Sequence, residues 1–144
     1  MKDRIHRDFN TAIHSCDEVS IRALSSLESA IEEAQTTSNG KLTDDNIIKI
    51  ILKQIKQLQD NAAKHMDEGK KDLATTETLE ISVLKKYAPY VLDVAETEEA
   101  VSRAIYMVGA TTVKDIQRIM TYLKNRYFIT SKKLILYLVK FYLQ

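Results

Sequence analysis

Three glycines and one proline in 144 residues leave little punctuation for turns and favour a few long helices over many short strands. That length makes one domain or two small ones, enough to bury roughly two thirds of the unfolded surface. The net charge of +1 excludes an extreme polyelectrolyte but hides a split: residues 103–144 hold eight bases against Asp115 alone, +7, leaving residues 1–102 with 13 bases and 19 acids, −6.

Lys2 to His14 carries Ile5, Phe9, Ala12 and Ile13 at helical spacing and reads as a short amphipathic helix. Asp17 is placed to cap a second helix, whose inner stripe is Ile21, Leu24, Leu27, Ala30, Ile31 and Ala34. Thr36 to Lys41, with Asn39 and Gly40 near its end, reads as a loop. The longest element is Asp44 to Met66, capped by Thr43. Ile47, Ile48, Ile51, Leu52, Ile55, Leu58, Ala62, Ala63 and Met66 form one half of its wheel, and only Ile50, Gln59 and His65 fall on the wrong side. Glu68 and Gly69 close it.

Lys71 to Lys86 is a fourth, less regular helix, built on Leu73, Leu79, Ile81, Val83 and Leu84 and stopped before Pro89. A boundary falls around Leu92 to Ala95, where Asp93 and Glu96 form a capping box and start a fifth helix that Gly109 stops. Its buried stripe is Val101, Ala104, Ile105 and Val108. Thr111 or Thr112 caps a sixth, with Val113, Ile116, Met120, Leu123 and Tyr127 inward, and a last helix runs from about Ser131 to Gln144. The expected fold is all-α, a four-helix N-terminal body over residues 1–92 and a three-helix tail over 93–144.

Chemistry is sparsely represented. The isolated glycines draw neither a Walker loop nor a dinucleotide fingerprint. Cys16 and His14 are two apart and do not face each other on a helix, which excludes an activated thiol there. His6 and His14 lack the adjacent-turn spacing of a metal pair, and His65 reads as a core or C-cap histidine. Glu32 with Glu33, and Asp44 with Asp45, diverge around their helices. No catalytic residue, metal or cofactor is therefore expected. The single cysteine points to a reducing compartment, and the absence of an apolar leader or a long apolar run points to a soluble, cytoplasmic protein.

Binding is the better case. Lys114, Arg118, Tyr122 and Arg126 recur every four residues, a basic face with one aromatic, and Lys132 and Lys133 extend it at the start of the last helix, where they oppose the dipole. Such a face either is simply solvated or tracks phosphates while Tyr122 stacks on a base. Lys49, Lys53, Lys56 and Lys64 also share a face, but Asp60 interrupts the row, so solvation is the expectation there. The last helix is apolar over more than half its circumference, which means either intramolecular core or an interface with a partner protein or a second copy.

The run LTDDNIIKIILKQIKQLQD (Leu42 to Asp60), followed by GKKDLATTETLEISVLKKYAP (Gly69 to Pro89), resembles the signature half of the YqeY family. Asp93, Glu96, Ala104, Ile105, Gly109 and Ala110, Lys114 to Ile116, Met120 and Leu123 resemble its tail, a domain also found in the GatB subunit of glutamine-dependent tRNA amidotransferase. The resemblance implies a helical, tRNA-binding accessory protein without activity of its own, associated with carbon–nitrogen ligase activity that uses glutamine as amido-N-donor. In the complete amidotransferase that chemistry belongs to other domains. One departure stands out: the family's Gly-rich turn before the last helix is replaced here by NRYFITSKK, Asn125 to Lys133, which has no glycine.

Overall fold

Side-chain caps set four of the helix starts. Asp17 accepts from the Ser20 amide at 3.3 Å, Thr43 from Asn46 at 3.3 Å and Ser131 from Leu134 at 3.1 Å. Asp93 and Glu96 exchange backbone and side-chain bonds in a complete capping box, at 2.8 and 3.1 Å. The computed structural model describes residues 1–143. Among them the chain forms α1 (Lys2–Ser15), α2 (Glu18–Thr37), α3 (Asp44–Asp67), α4 (Lys71–Lys85), α5 (Val94–Val108), α6 (Ile116–Arg126) and α7 (Lys132–Tyr142). The all-α expectation holds, and among the described residues no helix is long and apolar enough to cross a membrane.

Two helices differ in their bounds from the sequence reading. The sixth helix does not start at Val113: Val113–Asp115 is a separate turn of 3-10 helix, and α6 ends before Tyr127, which is extended at φ −135°. Its buried stripe is Ile119, Met120 and Leu123, with Val113, Ile116 and Tyr127 only half-buried. The last helix ends at Tyr142, and Gln144 lies outside the described residues.

The long α3 is the axis of the molecule. α2 and α4 pack along it, α1 lies on α2, and α7 packs on both α3 and α5 while α6 closes on α5. Ile47, Ile51, Ile55, Ala62 and Ala63 are the buried stripe of α3, as the periodicity implied. α4 is less regular because its inward face carries Ala74, Glu80, Ile81 and Leu84, while Leu73 and Leu79 are exposed. Glu80 is tolerated there because Arg22 of α2 brings its Nε to 3.0 Å. Burial still raises the Glu80 carboxyl above its ordinary pKa, Arg22 opposing and Glu77 adding to the rise. His65, in the last turn of α3, is half-buried with Nδ1 2.7 Å from Glu77 Oε1, out of line for a hydrogen bond.

α7 resolves as mostly core. Leu134, Ile135, Leu138 and Val139 are buried, and only Leu136, Phe141 and Tyr142 of its apolar residues stay exposed. The buried side chains of residues 1–92 and 93–143 make one continuous cluster.

The misplaced Gln59 of the helical wheel explains how the two segments meet. It is 1% exposed, donates from Nε2 to the Leu92 carbonyl at 2.8 Å and accepts from the Thr130 hydroxyl at Oε1. Its neighbour Asp60 accepts from Ser131 Oγ, and Val91 and Phe128 form an isolated parallel bridge beside them. A buried amide needs both partners, so the wrong-side Gln is a docking residue for the segment that leads into α7.

Candidate nucleic-acid interface

The 3-10 turn and α6 form a basic strip that holds Lys114, Arg118, Lys124 and Arg126. Asp115 anchors the turn by accepting from the amides of Thr111 at 3.0 Å and Thr112 at 3.3 Å, and these bonds, with Arg118 nearby, hold its carboxyl below the ordinary pKa. Arg118 places Nη1 3.5 Å from Asp115 Oδ1 and donates from Nη2 to the Val108 carbonyl, at the end of α5. Gly109 takes the left-handed C-cap there at φ 67°, a conformation that costs glycine nothing. Arg118 thus covers an orphan carbonyl at the negative end of the α5 dipole while its side chain remains 59% exposed.

Tyr122 is half-buried against the core, and Arg126 lies over its ring at 4.6 Å from the centroid. The stack holds the Arg126 guanidinium in one place and covers part of the ring's surface. Lys114 is exposed on the 3-10 turn, outside the regular helix on which the four-residue spacing had placed it. Lys132 and Lys133 are exposed in the first turn of α7, which carries no acid.

Arg118, Tyr122 and Arg126 therefore share α6, with Lys114 on the turn before it. Lys132 and Lys133 stand on a different helix, beyond the segment 127–131. That segment needs no glycine: Tyr127 and Ser131 are extended, and among the described residues the left-handed backbone positions all lie elsewhere, at Cys16, Asn39, Gly40, Gly69 and Gly109. Among the described residues, no carboxylate of residues 1–92 comes within ion-pair distance of any of the six; the one acidic partner, Asp115, lies in the 3-10 turn before α6.

Other polar clusters lack the groups that chemistry would need. Arg22, Glu77, Glu80 and His65 have no nucleophile among them. Tyr87 donates to Asp8 at 2.5 Å beneath Arg4, and burial followed by the Asp8 bond raises its phenol well above the usual range, so the site acts as a clasp between α1 and the end of α4. Cys16 is exposed, and no group of three metal-ligating side chains occurs among the described residues.

The sequence model of the family described as Yqey-like protein matches residues 2–134. The chain belongs to the YqeY-like family. The matched stretch takes in α1 to α6 and the first residues of α7, so Lys114, Arg118, Tyr122, Arg126, Lys132 and Lys133 of this YqeY-like chain all lie within it. No curated protein matches the chain.

Sequence reasoning missed the partners that hold the strip in place. The Asp115 bonds to Thr111 and Thr112 had a signal in the Thr-Thr-x-x-Asp spacing, which is that of a short-side-chain cap. The contact of Arg118 with Val108 spans a turn between helices and had none.

Proposed function

We propose that this YqeY-like chain is a non-catalytic, cytoplasmic tRNA-binding or accessory protein related to tRNA-dependent amidation, associated with carbon–nitrogen ligase activity that draws its nitrogen from glutamine. In this reading residues 1–92 are a helical body and residues 93–144 a helical tail that carries the contacts. Lys114, Arg118, Arg126, Lys132 and Lys133 face phosphates, and Tyr122 steadies Arg126 and offers its remaining surface to a base. The observation that carries the proposal is that these five cations are exposed and that no carboxylate of residues 1–92 pairs with them, so their charge is presented outward.

The test is an electrophoretic titration of the full chain against total tRNA at two salt concentrations. Replacing Lys114, Arg118 and Arg126 by Glu should weaken binding and lower the salt slope by about one unit for each lost phosphate contact. Because Arg118 also holds the Val108 carbonyl, the Lys132→Glu, Lys133→Glu pair serves as a second variant that leaves the α5 cap intact. Binding that is unchanged in both and insensitive to salt removes the proposal.

A second reading, docking of another protein or a second copy on the terminal helix, is favoured by one observation. Phe141 is 63% exposed, between Tyr137 at 6.5 Å and Tyr142 at 5.5 Å. For a second copy, Phe141→Ser lowers the assembly size seen by light scattering, and a wild-type chain that stays monomeric at every concentration rules that copy out.

A further inference from the structure

Asp60 breaks the row of lysines on α3, and its neighbours one turn away on either side are Lys56 and Lys64. In the structure this carboxylate is engaged: Ser131 Oγ donates to it across 71 residues of sequence. Ser131 is followed directly by Lys132 and Lys133, so the bond carries the start of α7 onto the lysine face of α3. Lys56, Lys64, Lys132 and Lys133 are all exposed, and among the described residues none has a carboxylate within ion-pair distance. Of the acids near them, Asp93 caps α5, Glu96 pairs with Lys85 and Glu68 with Lys70.

Two aromatic rings stand at the same seam. Phe128 bridges to Val91, next to the Leu92 carbonyl that Gln59 holds, and Tyr90 meets the Phe128 ring edge to face at 5.2 Å. Neither is core, at 46% and 51% exposure. Cations from two elements around exposed rings are the groups that bind a strand with unpaired bases: ammonium groups track the phosphates, and any base has a face that stacks. A duplex would hide those faces within its own stack.

We infer that the seam between α3 and the start of α7 binds a single-stranded RNA segment, with Lys56, Lys64, Lys132 and Lys133 on its phosphates and Phe128 and Tyr90 against its bases. This rests on the nucleic-acid reading above and extends it from the tail onto the body.

The experiment is fluorescence anisotropy of the full chain with a labelled single-stranded oligouridylate, and with an RNA duplex of the same length, at two salt concentrations. Lys56→Gln with Lys64→Gln keeps good helix formers at exposed positions, so melting should be unchanged while the salt slope on the single strand falls by about 0.7 per lysine. Phe128→Ala should weaken the single strand between about fivefold and a hundredfold and leave the duplex alone. An unchanged slope in the double variant, alongside weaker binding when Lys114 and Arg126 are reversed, overturns the seam and leaves the tail interface standing. Equal losses on single strand and duplex from Phe128→Ala overturn the assignment to unpaired bases. No binding of either RNA by the wild-type chain overturns both.

Discussion

A chain ending at Thr130 is expected to lose its cooperative melting transition and to aggregate, as followed by far-ultraviolet circular dichroism and light scattering. α7 supplies Leu134, Ile135, Leu138 and Val139 to the continuous core, each 4% exposed or less. Removing four such side chains forfeits about 6–12 kcal/mol of burial, most or all of the net stability of a domain this size. The loss also bares the faces of α3 and α5 against which the helix packs. A truncated chain that melts cooperatively as a monomer would show that α7 is an appendage, contrary to its burial.

Replacing Gln59 by Leu should destabilise the full chain by about 2–5 kcal/mol, read as a drop in melting temperature. The leucine fills the space but returns neither bond, so the Leu92 carbonyl and the Thr130 hydroxyl lose their partner in a buried setting. Gln59→Glu distinguishes shape from chemistry: it keeps the acceptor for Thr130 and loses the donor to Leu92, adding a buried charge as well. Stability unchanged in the leucine variant would mean that water satisfies the seam and the amide is dispensable.

Much of the architecture was legible because it is local. Asp17, Thr43 and the Asp93 and Glu96 pair cap where their spacing said they would, and Gly69 and Gly109 fall just past helix ends. The stripe of α3 was readable because a long helix averages its periodicity over many turns. α4 was not, because Glu80 occupies a buried position that only Arg22, 58 residues away in sequence, makes tolerable.

The candidate site divides in the same way. Arg118, Tyr122 and Arg126 could be grouped from spacing within one helix, whereas Lys114 could not be placed, since a 3-10 turn advances the chain differently from an α-helix. That Lys132 and Lys133 lie beside α3 depended on Asp60 and Ser131, a bond between distant residues that no window of sequence contains. Gln59 did leave a trace: a polar side chain on the apolar half of a wheel marks either an error of register or a buried partner, and here it is the second.

The Ser131 hydroxyl has one hydrogen, and it is directed at Asp60, while its lone pairs receive the Leu134 amide. One atom therefore both starts the final helix and fastens it to the longest one. Winding and anchoring are coupled through that oxygen, and a chain that unfastens α7 also begins to unravel it from its first turn.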